Sequence, residues 1–168
     1  MARDVTLNRR QVAVGLGLAG LLTGCNLRPL HGSQQAAVTQ ELSTTRVAPL
    51  SNRLGQKLHN LLLNRINPRG QPSQPDYELR VALSRSQRES GLREDETATR
   101  ITLTLTADYQ LVALQDQSTV TRGTTGAQAV FNILENRFAS QVSEQSAEER
   151  ALVIIADAIS TRLTAALS

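Results

Sequence analysis

Ile101-Thr102-Leu103-Thr104-Leu105-Thr106-Ala107-Asp108-Tyr109-Gln110-Leu111 is the stretch that decides the fold. Apolar residues hold every odd position and polar ones every even position, the period of a strand with one face buried and one face wet. Working outward, Tyr77, Leu79, Val81 and Leu83 alternate in the same way with Glu78, Arg80, Ala82 and Ser84. A polar connection over Glu89–Thr97 joins the two runs, and a turn at Gln115–Ser118 leads to a third run over Thr119–Val130. Gly123 and Gly126 weaken the middle of that run and suggest a bulge there. Short connections between alternating strands give antiparallel neighbours.

The flanks change period. In Arg53–Ile66, Leu54, Leu58, Leu61, Leu62 and Ile66 repeat at helical spacing behind a candidate cap at Ser51 or Asn52, and Asn67-Pro68-Arg69-Gly70 stops the helix. Glu41–Leu50 alternates loosely through Leu42, Val47 and Leu50 and is expected as a first strand. At the far end Ser146-Ala147-Glu148-Glu149 fits a capping box, with Ser143 as a start one turn earlier. The helix behind it carries Ala147, Ala151, Leu152, Ile154, Ile155, Ala158, Ile159, Leu163 and Ala166 on one broad apolar face. Together these elements predict an α+β domain over residues 41–168. Its antiparallel-rich sheet has about four strands, with two helices packed on one face.

The N-terminus belongs to something else. Arg3, Arg9 and Arg10 precede the apolar run Val12–Leu22, which is shorter than the ~20 residues a helix needs to cross a bilayer. A charged start followed by a short apolar core is a signal peptide. It closes on Leu22-Thr23-Gly24-Cys25, and Cys25 is the single cysteine of the chain. This tetrapeptide resembles the lipobox of bacterial lipoproteins. The resemblance implies cleavage after Gly24 and a covalent lipid on Cys25, S-diacylglycerol on the thiol and an acyl chain on the new amino group. Two or more acyl chains hold a protein stably on a membrane where one does not. The competing reading is a buried thiol behind an ordinary secretory cleavage site. By the same resemblance, Asn26 after the cysteine points to the outer membrane. The expected organisation is a signal peptide over residues 1–24, a lipidated tether over 25–40, loosened by Pro29 and Gly32, and the α+β domain.

Composition excludes several function classes. Removing residues 1–24 takes three Arg and one Asp from 18 basic and 15 acidic residues, so 15 and 14 remain. That balance offers no basic footprint for nucleic acid, and two Tyr with two Phe make no base-stacking platform. No metal site is expected: Cys25 is alone, and His31 and His59 lack ligand-spaced neighbours. The same two histidines have no triad context, and there is no P-loop or dinucleotide fingerprint. Glu94-Asp95-Glu96 and Glu148-Glu149 read as solvated surface and a helix start. The expectation is a non-enzymatic protein with no catalytic residues, no metal and no cofactor apart from the lipid on Cys25.

Several stretches together resemble the LptE family of lipopolysaccharide-assembly lipoproteins, in its alphaproteobacterial branch. They are Gly24-Cys25-Asn26-Leu27-Arg28-Pro29-Leu30, Tyr77-Glu78-Leu79, Thr99–Leu105, Asn132–Ala139, Ala147–Leu152 and the final helix. The branch usually has aromatics around the Arg-Pro segment, where this chain has Leu27 and His31. The resemblance implies an outer-membrane protein that plugs the LptD β-barrel, helps it assemble and takes part in delivering lipopolysaccharide. A barrel lumen is polar, and Arg100, Thr102, Thr104, Thr106 and Asp108 provide a polar outward face that suits it; the competing reading is the water-facing side that any antiparallel sheet has. The alternative is an auxiliary lipoprotein of another periplasmic lipid-transport complex.

One further cluster is a candidate lipopolysaccharide contact: Arg85, Arg88, Arg93 and Arg100, around the connection between the first two long strands. Arginine forks suit phosphates, and Arg85 and Arg88 lead the set. Glu89, Glu94, Asp95 and Glu96 offset the four charges, so the competing reading is a solvated loop of mixed charge.

Overall fold

The computed structural model describes residues 40–90, 100–134 and 136–168. The signal peptide, Cys25, the tether up to residue 39, Arg93 and most of the polar connection lie outside the described residues.

The first expected strand is much shorter than its alternation suggested. Residues 40–43 form a helical turn, in which Ser43 Oγ donates to the Gln40 carbonyl and Thr44 Oγ1 to that of Glu41. Such local hydroxyl bonds offer the backbone an alternative to a sheet ladder. The strand β1 is therefore only Thr45–Val47. It runs parallel to the next strand, Thr45 beside Tyr77 and Val47 beside Leu79.

Helix α1, Asn52–Ile66, follows. Asn52 does the capping: at φ 68° its Oδ1 accepts the Gly55 N–H at 2.8 Å. Asparagine tolerates this left-handed backbone better than most residues. Leu58, Leu62 and Ile66 are buried, and His59 Nδ1 lies 3.2 Å from the Ala48 carbonyl, tying the helix to the end of β1.

Three strands of equal length then form an antiparallel meander: β2 (Tyr77–Ser90), β3 (Arg100–Ala113) and β4 (Thr119–Asn132). The sheet order is β1-β2-β3-β4. The strand β2 extends well past Leu83 because β3 templates it, residue by residue, as far as Ser90 beside Arg100. At the other end Gln117 adopts φ 59°, and Ser118 N–H donates to Asp116 Oδ1 at 3.0 Å, turning β3 into β4. That bond is the main cause holding the Asp116 carboxyl below its usual pKa.

The expected bulge at Gly123 and Gly126 is absent there; the register shift falls between Leu111 and Val112. The glycines answer a different need. Gly123 pairs with Tyr109, and a Cβ at Gly123 would stand 2.7 Å from the phenol oxygen, so the ring lies where that side chain would be.

Helix α2, Arg137–Ala166, begins a full nine residues ahead of Ser146. Its cap is Asn136, whose Oδ1 accepts from Phe138 N at 2.9 Å and Ala139 N at 3.3 Å. Thirty residues at ~1.5 Å each make a rod of about 45 Å, comparable with a 14-residue strand. Small residues on both sides, Ala127 and Ala129 on β4 with Ala147, Ala151 and Ala156 on α2, are buried and allow close packing of helix on strand. The core is completed by Leu79, Leu103, Leu105, Leu111, Leu152, Ile155, Ile159 and Leu163, all without solvent contact. Both helices lie on the same side of the sheet, with α2 against the odd-numbered residues of β3 and β4.

Candidate functional site

The other side of the sheet is open. The register pairs even residues with even ones across all three long strands, so one side-chain face is built from rows that cross the sheet. From one end these rows are Arg80–Gln110–Arg122, Ala82–Asp108–Thr124, Ser84–Thr106–Gly126, Ser86–Thr104–Gln128 and Arg88–Thr102–Val130. Arg100 beside Asn132 extends the face further. Arg46 joins it from β1, opposite Glu78. Short hydroxyl side chains dominate the centre, which keeps the face shallow and leaves many donors and acceptors toward solvent. The polar outward face expected for β3 is thus present, and it is continued by β2 and β4.

Charges on this face are arranged around two carboxylates. Glu78 accepts from Arg80, through Nε at 2.9 Å and Nη2 at 2.7 Å, and from Arg46 Nη2 at 2.8 Å. The Arg80 hydrogen bond is the largest cause of a Glu78 pKa below the ordinary glutamate value. Asp108 Oδ1 accepts from Thr124 Oγ1 at 2.5 Å. Arg122 has no carboxylate within ion-pair distance among the described residues. A depression lies beside it, bordered by Arg80, Ala82, Asp108, Gln110 and Thr124.

The arginines singled out in the sequence are divided by the sheet. Arg88 and Arg100 are exposed on the open face, on adjacent strands and one row apart. Arg85 is on the helix side, where its guanidinium donates to Glu144 and approaches Glu148 Oε1 at 3.4 Å. Glu144 Oε1 also accepts from Gln87 Nε2 at 3.0 Å. Arg85 therefore fastens the outer half of β2 to α2. Arg93 lies outside the described residues. Arg46, Arg80 and Arg122, which share the face with Arg88 and Arg100, carried no local motif; only strand parity and the register bring them together.

Apolar surface gathers where β4 passes into α2. Ile133, Leu134 and Val142 are exposed, and Phe138 is 74% exposed. Ser140 holds this corner, its Oγ donating to the Leu134 carbonyl at 2.9 Å and accepting from Leu134 N at 2.7 Å. Among the described residues no His, Cys, Asp and Glu group is placed to hold a metal, and no helix is long and apolar enough to cross a membrane.

Comparison with known proteins gives this arrangement its family. The family described as "LptE: Lipopolysaccharide-assembly" matches residues 39–167. The chain belongs to the LptE family. The family is one of lipopolysaccharide-assembly lipoproteins. No curated protein matches the chain. Among solved structures, a lipoprotein candidate from Caulobacter crescentus CB15 is similar at 22% identity and a TM-score of 0.66, over 79% of this chain and 97% of that one. This likeness extends to the fold. A minor lipoprotein from Acinetobacter baumannii is similar at 18% identity and a TM-score of 0.48, over 72% and 88% of the two chains.

Proposed function

We propose that this LptE-family chain is an outer-membrane lipoprotein, tethered through an acylated Cys25, that occupies the lumen of an LptD-type β-barrel. There it helps the barrel assemble and serves the passage of lipopolysaccharide to the cell surface. The observation that carries the reading is the family match over nearly the whole folded domain. Two features of the chain support it. The lipobox-like Leu22-Thr23-Gly24-Cys25 supplies the anchor, and a hydroxyl-rich sheet face suits a polar, hydrogen-bonding lumen. Arg88 and Arg100, which are exposed on the open face, are the members of the arginine cluster proposed to meet lipopolysaccharide phosphates, whereas Arg85 is ion-paired with Glu144 and Glu148.

The test is mild detergent extraction of the tagged native protein, with mass spectrometry of what accompanies it. Stoichiometric recovery of a large outer-membrane β-barrel is expected. Recovery of periplasmic or inner-membrane transport proteins without a barrel would instead assign the chain to another lipid-transport complex. The anchor is tested separately: Cys25→Ala is expected to accumulate as an unacylated precursor, and normal maturation of this variant would refute lipidation at Cys25.

A further inference from the structure

The sheet has two edges, and they are finished differently. At one of them the Ala48 N–H donates to the Leu79 carbonyl, so the odd residues of β2 turn their backbone groups outward, toward β1. The strand β1 ends at Val47. The stretch of β2 beyond it carries Arg80, Arg85, Arg88 and Glu89. Charged side chains are a common means of keeping an exposed edge from pairing with another chain.

The other edge is β4. In an antiparallel ladder the N–H and C=O of one residue point to the same side, and the side alternates along the strand. The register carries this alternation across the sheet: odd residues of β4 bond to β3 and even residues turn away. The Thr124 carbonyl fits that parity, since it accepts from Arg162 Nη1 of α2 at 2.8 Å. Arg162 thereby closes the edge at Thr124. Past that point Gly126, Gln128 and Val130 present N–H and C=O groups outward, with no backbone partner beyond β4 among the described residues. All three are exposed, and Gly126 has only backbone to expose. From Gly123 to Leu134 the chain has no charged residue and no proline. The run leads into Ile133 and Leu134, both exposed.

An extended backbone is what such an edge fits, because its own N–H and C=O groups repeat at the same spacing. A helix uses its backbone groups internally, and an acyl chain has none. Twelve uncharged residues also offer no counter-ion to a charged strand. A second copy of this chain fits less well. A two-fold pair centred on Gln128 sets Thr124 opposite Asn132, so Arg162 interrupts the ladder at both ends.

We infer that the outer edge of β4, from Gly126 to Asn132, is a docking site for an extended, uncharged segment of a different polypeptide. The segment adds antiparallel to β4 as a fifth strand. This goes beyond the barrel reading, and holds or fails whichever protein supplies the segment.

The experiment places a photo-crosslinking amino acid in turn at Gln128, Val130 and Asn132 of the full-length protein in intact cells. The joined residues are mapped by mass spectrometry. The three positions share one side of the sheet, so the expected partner residues come from one segment and step backward by two from probe to probe. A second series keeps the probe at Val130. There Gln128→Pro removes an outward N–H without removing a bond to β3, and is expected to lower the adduct about 5- to 10-fold. Gln128→Ala keeps that N–H and is expected to match wild type. Thermal melting checks each variant, and the stepping pattern decides alone if the proline variant does not fold. Adducts scattered over several segments, adducts with a second copy or with lipid only, or no adduct, overturn the inference. So does an equal loss with Gln128→Pro and Gln128→Ala. A stepped segment in a protein other than an outer-membrane barrel upholds the inference and counts against the barrel reading. Barrel recovery by detergent extraction without the stepped pattern does the reverse.

Discussion

The two faces of β3 share one backbone and one hydrogen-bond ladder, yet they serve opposite ends. Leu103, Leu105 and Leu111 have no solvent contact, while Thr102, Thr104 and Thr106 stand one residue away on the open side. The strand sets the spacing; what covers each face decides the energetics. The helix side holds the fold together by burial, roughly 1.5–3 kcal/mol for each large aliphatic group. The open side contributes little to stability and is free to be specific. The same contrast recurs along β2, where Leu79 is covered while Arg85 and Gln87, on the same side farther out, are exposed and polar.

The comparison breaks most readily at the core. Leu105→Ala is expected to cost about 2–5 kcal/mol, read from urea unfolding midpoints, because its site is closed on every side. Thr104→Ala, on the neighbouring residue, should stay within about 0.5 kcal/mol. Comparable losses from the two would mean that the open face is not open. Next in size is Gly123→Val, which drives a side chain into the Tyr109 ring and should cost about 1–3 kcal/mol. Combined with Tyr109→Ala it should cost less than the two single changes added together; strict additivity would show that the ring does not cover the glycine. Asn136→Ala removes the acceptor for Phe138 N and Ala139 N and should cost about 1 kcal/mol. An unchanged melting temperature for that variant would place the true start of α2 nearer Ser146.

The smallest effect is electrostatic. Glu78 has a lowered pKa in the folded protein, chiefly through its hydrogen bond from Arg80, so its ionised form favours folding. That contribution is complete above the unfolded glutamate pKa of about 4.3, and is lost as pH falls through the lower folded value. Glu78→Gln should therefore be less stable than wild type by about 1 kcal/mol or less at pH 7. The two proteins should converge in acid, and a gap that widens as pH falls would reverse the sign of the pairing.

How much was readable beforehand follows from which forces act locally. The alternation in Ile101–Leu111, the turn before Thr119 and the leucine spacing of α1 are local signals, and they mark elements that the structure contains. The outer half of β2 has no apolar alternation; it is a strand because β3 lies beside it, a long-range cause that no short window contains. The start of α2 was obscured because Ser146 looks like a cap, whereas Asn136 performs that task ahead of an exposed Phe138. Gly123 signalled weakness in a strand, but only the register reveals the Tyr109 ring opposite. Arg85 and Arg88 differ by three positions, so parity separates them once β2 is known to continue. Arg122 gains its neighbours Gln110 and Arg80 only from pairing across three strands.

The central claim is the proposed residence of this domain in an outer-membrane β-barrel. The most direct measurement places a photo-crosslinking amino acid at Thr104, in the middle of the open face, and another at Ile154, which is exposed on α2. The account predicts an adduct between at least one of these probes and a large outer-membrane β-barrel in intact cells. No barrel adduct from either position would contradict it.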